Sequence, residues 1–135
     1  MEEMTLRVPV IIKAKVTTDL KAKIVTDLEQ RLALVDQDLQ QIEFQAKRLL
    51  SEQAKLDAQG LIQLRAQIEE EQQKRLSFKE EVAARLKDAE GLEIGSEIQQ
   101  GSMDQLVTVK VGDDLDSLMG AEILLEDGKI IAFRK

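Results

Sequence analysis

Carboxylates are the residues best equipped for chemistry in this chain, because its 135 residues include no His and no Cys. Three groups of them stand out. Asp113, Asp114 and Asp116 form the densest cluster outside the helical stretch. A hard cation takes such oxygen ligands, but the Gly and Glu positions of a calcium loop are missing. The bland reading is a helix N-terminus that uses Asp for capping and to complement the helix dipole. Glu69, Glu70 and Glu71, with Glu80 and Glu81, form the second group, and Lys74 and Arg75 lie at the spacing of intrahelical ion pairs. That is the pattern of a solvated helix face. Asp57 and Glu52 form the third, at a chain reversal, and are too far apart to clasp a magnesium ion together.

The absent residues exclude more than the present ones suggest. Without His or Cys the commonest general base, thiol nucleophiles, disulfides and nearly all zinc, haem and iron–sulfur ligand sets are lost. Any nucleophile–base pair would have to be built from Lys, Ser or carboxylates alone. The expectation is no enzyme, no catalytic residue, no cofactor and no metal.

The elements that position these residues follow from periodicity. Residues 17–90 contain no Pro and one Gly, Gly60, and consist mostly of Leu, Ala, Gln, Glu, Lys and Arg. Thr17 or Thr18 caps the first helix, and Asp19 sits in its first turn. Leu28, Leu32, Val35, Leu39, Ile42, Ala46 and Leu49 follow at steps of four and three, pass polar Gln53 and resume at Leu56, which is a heptad seam. Leu61, Leu64, Ile68, Phe78, Val82 and Leu86 form a second seam, interrupted by Glu71 and Arg75. A reversal centred on Gly60 sets Leu56 against Leu64, Ile42 against Phe78 and Leu39 against Val82. The first helix is then about 42 residues long and the second about 29, or roughly 63 Å and 44 Å at 1.5 Å per residue. Residues 17–30 overhang, with Leu20, Ile24, Val25 and Leu28 left to be covered by the C-terminal region.

Both chain ends read as β structure. Leu6, Val8, Val10, Ile12, Ala14 and Val16 alternate with Arg7, Pro9, Ile11, Lys13 and Lys15, a strand whose even positions face a core. Pro9 cannot donate to a ladder, so that strand lies at an edge or has a free side there. Residues 93–99 suggest a strand, Gln100-Gly101 a turn, and Val107, Val109 and Val111 the next strand. A short helix capped by Asp113 or Asp114 runs through Met119 to Gly120. Residues 121–126 and 129–134 flank Asp127-Gly128, a tight-turn dipeptide.

The fold class predicted is α+β: a long antiparallel coiled-coil helical hairpin, residues 17–90, inserted into a small, mostly antiparallel five-stranded β domain or partly open barrel. That domain is built from both chain ends, residues 1–16 and 91–135.

Composition narrows the partners. Only Phe44, Phe78 and Phe133 are aromatic, too few for a thick core, whereas charged residues make up 33%, as solvated helices require. The net charge of −7 disfavours nucleic acid and anionic membrane, and favours protein partners. No charged-then-apolar leader opens the chain and no apolar run approaches the roughly 18 residues of a span, so a cytoplasmic location is expected.

Phe44, Leu34, Leu50, Ile62 and Leu76 miss the seam, and several off-seam apolar residues on one hairpin suggest a second contact surface. The favoured reading is a protein-interaction or scaffold protein that forms a homo-oligomer through its hairpin and binds an unidentified protein partner. One alternative is a regulator that inserts its helical tip, with Lys55, Asp57 and Gly60, into RNA polymerase or the ribosome, as acidic fingers do in transcript-cleavage factors. Another is a prefoldin-like holdase that uses clefts between paired hairpins.

The stretch Gly95–Ile98 (GSEI), the run Val111–Asp116 (VGDDLD) and the closing Glu122–Arg134 (EILLEDGKIIAFR) resemble the YlqD family of small bacterial proteins, as do the long charged helical middle and the opening strand. The resemblance covers most of the chain. It implies a bacterial cytosolic protein and brings no catalytic or ligand residues.

Overall fold

A computed structural model describes residues 2–135. The elements are β1 (Glu3–Lys15), α1 (Thr18–Ala54), α2 (Ala58–Glu90), β2 (Glu97–Lys110), α3 (Leu115–Leu118), β3 (Glu122–Glu126) and β4 (Lys129–Arg134). They fall into two compact units, Met1–Ala22 with Leu92–Lys135, and Lys23–Gly91.

The first unit is a four-stranded open mixed sheet in the order β2-β1-β3-β4. Among the described residues there is neither the fifth strand nor the partly open barrel that the sequence predicts. Gln100-Gly101 makes no turn: Ile12 pairs with Gly101 and Lys13 with Gln99, so Gln100 is a bulged residue inside one long strand. A Gly in a strand interior marks such a bulge as readily as a turn.

β1 is central, antiparallel to β2 and parallel to β3. The N–H of Ile11 donates to the carbonyl of Ala121, so odd-numbered residues of β1 point their backbone groups toward β3. Pairing with β3 begins at Ile11, and Pro9 therefore aims its missing donor past the end of that strand. The free side expected at Pro9 is present within a central strand. Val8, Val10, Ala14 and Val16 are buried on the even face, as the alternation predicts.

Asp127 and Gly128 join β3 to β4 with positive φ at both, the conformation a two-residue hairpin turn of this hand requires. At the start of α1, Thr17 Oγ1 accepts from the backbone N–H of Leu20 (3.1 Å) and donates to Asp127 Oδ1 (2.6 Å). Thr17 is thus the cap, tied to the β3–β4 turn.

In the second unit α1 and α2 run antiparallel, joined by residues 55–57. Lys79 pairs with Asp36 at 2.6 Å and Arg75 with Asp38 at 4.0 Å, which sets Val35 level with Lys79 and Leu32 level with Val82. The register expected from a reversal at Gly60 is therefore displaced. Asp57, three residues earlier, ends the turn: its carboxylate accepts from the backbone N–H groups of Gln59 (3.0 Å) and Gly60 (3.2 Å) and caps α2. An N-cap carboxylate outweighs a lone Gly as a boundary signal, since it satisfies donors that the helix start leaves free. Gly60 lies inside the first turn of α2, where a Cβ would collide with the Gln53 side chain. The helices are 37 and 33 residues long, so the expected overhang shrinks to the first turns of α1.

Each helix also departs from a strict heptad. Along α1 the covered positions are Leu28, Leu32, Val35, Leu39, Ile42, Ala46, Leu50 and Gln53, with two successive steps of four around Ala46. Along α2 they are Leu61, Leu64, Ile68, Gln72, Arg75, Lys79, Val82, Leu86 and Ala89, with the same double step around Ile68. A stutter of this kind moves the contact line by a fraction of a turn. Leu50 consequently turns inward where Leu49 was expected, and Phe78 leaves the seam while Lys79 enters it. Leu56 is exposed because it belongs to the turn.

Candidate functional site

Large apolar side chains left in water are the feature of the helices that requires a functional account. Phe44 is 72% exposed, Ile62 71% and Leu34 61%, and Leu76 is also exposed, whereas Leu50 is half-buried by the stutter. Phe78 joins the exposed set at 46%, beside an open groove of about 500 Å³ lined by Glu70, Gln73, Lys74, Ser77 and Glu81. It was missed because a strict heptad assigns it to the seam. The signal that finds it is Lys79, whose partner Asp36 on α1 requires it to face that helix.

The helix-joining turn carries less. Lys55, Asp57 and Leu56 are exposed, and Asp57 is engaged in capping. Both carboxylate oxygens of Asp57 accept from backbone donors, so its geometry is that of a cap.

The other acidic groups are engaged locally in part. Asp113 accepts from the backbone N–H of Lys110 (2.7 Å), and Asp114 caps α3 by accepting from that of Asp116 (3.1 Å). Lys74 lies 3.7 Å from both Glu70 and Glu71, and Arg75 4.0 Å from Glu71. Among the described residues no three His, Cys, Asp or Glu side chains are grouped to hold a metal ion. No described helix is long and apolar enough to cross a membrane.

On the sheet, Val10, Met103, Ile123 and Phe133 share one face and line an open groove of about 500 Å³. The outer strands are linked by a two-pronged ion pair from Arg134 to Glu97, with N–O distances of 2.5 and 2.8 Å. The Arg134 hydrogen bonds hold the Glu97 carboxyl below its usual range, against a smaller opposing effect of burial. A depressed carboxylate pKa stabilises the fold above the unfolded value and stops doing so as pH falls through the folded one. Glu97→Gln is therefore expected to lower the melting temperature at neutral pH. The difference from wild type should shrink below about pH 4, which thermal melts across a pH series would show. A pH-independent difference would contradict this account.

The family described as YlqD protein matches residues 4–134. A crystal structure of a protein of unknown function from Synechococcus sp. WH 8102 is similar at a TM-score of 0.81 and 20% identity, over 98% of this chain and 95% of that one. At that identity the likeness speaks to the fold. No curated protein matches the chain.

Proposed function

The chain belongs to the YlqD family, and from that premise we propose that it is a cytoplasmic, non-enzymatic scaffold protein that self-associates through a coiled-coil hairpin formed by α1 and α2. The observation that carries this reading is the exposure of Leu34, Phe44, Ile62, Leu76 and Phe78 on two helices whose seam is already filled from within. Five large apolar side chains on one pair of helices lose favourable burial as long as they stay in water, and association recovers it. The net charge of −7 disfavours anionic surfaces as the cover. A long helical pair also offers what a scaffold needs, an extended rigid surface with few loops.

The absence of native Cys makes the test direct. Exposed Ser51 is changed to Cys, separate batches are labelled with donor and acceptor dyes, and the two are mixed. Energy transfer that grows with time and is abolished by excess unlabelled protein is the expected result. No transfer at any concentration would overturn the reading.

A further inference from the structure

The exposed residues of the helical pair do not form one surface, and one face among them is complementary to itself. Leu34 immediately precedes the seam residue Val35, and Phe78 immediately precedes the seam residue Lys79. In an antiparallel pair of right-handed helices, residues one step before the seam lie on the same side of both helices. Leu34 and Phe78 therefore share a face, at the same level. The same rule collects Asp27, Arg31, Asp38 and Leu49 from α1 and Glu71, Lys74, Glu81, Arg85 and Asp88 from α2, each just before a covered position. Phe44 lies on the far side of α1, outside this face.

The order of charges on the face has a consequence for assembly. If the face meets the same face of a second copy about a two-fold axis along the helices, Leu34 meets the partner's Phe78. Asp27 then meets the partner's Arg85, Arg31 the partner's Glu81, and Asp38 the partner's Lys74. A two-fold across the helices sets Phe78 on the partner's Phe78, Leu34 near the partner's Asp38, Lys74 against the partner's Glu81, and Glu71 against the partner's Arg85. Opposite signs oppose each other over most of the face when the axis runs along the helices, Asp27 near the partner's Asp88 being the exception, and along α2 when it runs across them. Among the described residues Asp27, Arg31, Glu81 and Arg85 take part in no ion pair, so these charges are unspent within the chain. A symmetric dimer requires such an isologous patch: an apolar centre with a rim complementary to itself.

We infer that the Leu34/Phe78 face is a homodimer interface and that its occupant is a second copy of this chain. The inference rests on the reading of the protein as self-associating and adds the surface and its symmetry. Rim charges set the register by excluding like-charge alignments, and the two apolar residues supply the burial.

Light scattering after size exclusion separates the two claims. The wild type, Phe78→Glu, Leu34→Glu, Phe44→Glu and Glu81→Arg are compared at equal concentration, with circular dichroism confirming that each variant stays helical. The expected result is a wild-type dimer whose mass falls by half in Phe78→Glu and Leu34→Glu but not in Phe44→Glu. Glu81→Arg is expected to weaken association at least tenfold. Adding Arg31→Glu to it restores the dimer if the axis runs along the helices, and adding Lys74→Glu restores it if the axis runs across them. A dimer that survives Phe78→Glu and Leu34→Glu, or that neither second charge change restores, overturns the inference and leaves the self-association reading standing. A monomeric wild type overturns both.

Discussion

Val82→Asp is expected to abolish the helical pair at room temperature. Val82 is 1% exposed, level with Leu32 in the contact line of α1 and α2. The cations within the α2 contact line are already engaged, Lys79 with Asp36 and Arg75 with Asp38 and Glu71. A carboxylate there is either charged and unpaired or protonated at a cost, and both outcomes destabilise by about 4 kcal/mol or more, a large share of a small protein's stability. Long helices in water depend on such packing, since propensity alone supports them weakly. Val82→Ala is the milder control, expected to cost about 2 kcal/mol for the lost methyl groups and the cavity they leave. Urea unfolding followed by far-ultraviolet circular dichroism measures both. A Val82→Asp variant that unfolds like Val82→Ala would show that water already reaches this position.

Val16→Asp is expected to be comparably severe in the sheet unit, for a different reason. Val16 is 1% exposed, and both its backbone groups are held by one segment: its N–H donates to the carbonyl of Ser96 and its own carbonyl accepts from the N–H of Gly95, each at 2.7 Å. The next residue, Thr17, caps α1 and bonds Asp127. The side chain therefore has no outward route that keeps these bonds, and the carboxylate must stay buried or the end of β1 must detach. A loss of about 4 kcal/mol follows in either case. Amide exchange reads the outcome, with Val16 and Gly95 expected to lose protection. Retained protection at both amides would contradict this account of Val16.

The same physics explains what was legible in the sequence. The alternation in β1 revealed its buried face because period two is imposed by the pleat wherever one side meets a core. Pro9 disclosed a missing neighbour correctly, although the strand proved central, because a proline constrains only its own ladder position. Asp127-Gly128 was readable because two successive positive φ values admit few residues. Gln100-Gly101 was ambiguous: a bulge and a turn draw on the same residue, and only pairing with β1, where Gly101 meets Ile12 from far away in sequence, distinguishes them.

The candidate surface was partly legible for a related reason. Leu34, Phe44, Ile62 and Leu76 miss the contact line under any register, so their exposure follows from spacing. Phe78 depends on where the spacing along α2 slips: the two successive steps of four around Ile68 bring Lys79, paired with Asp36, into the contact line in place of Phe78. The stutter at Ala46 and Ile68 was hidden because Leu49 and Leu50 are equally apolar, so composition does not say which one turns inward.

Sedimentation equilibrium of the full wild-type chain over a hundredfold concentration range tests the central claim most directly. Self-association predicts a mass at the upper end that is a multiple of 15.2 kDa, falling toward the monomer on dilution. A mass of 15.2 kDa throughout would contradict it.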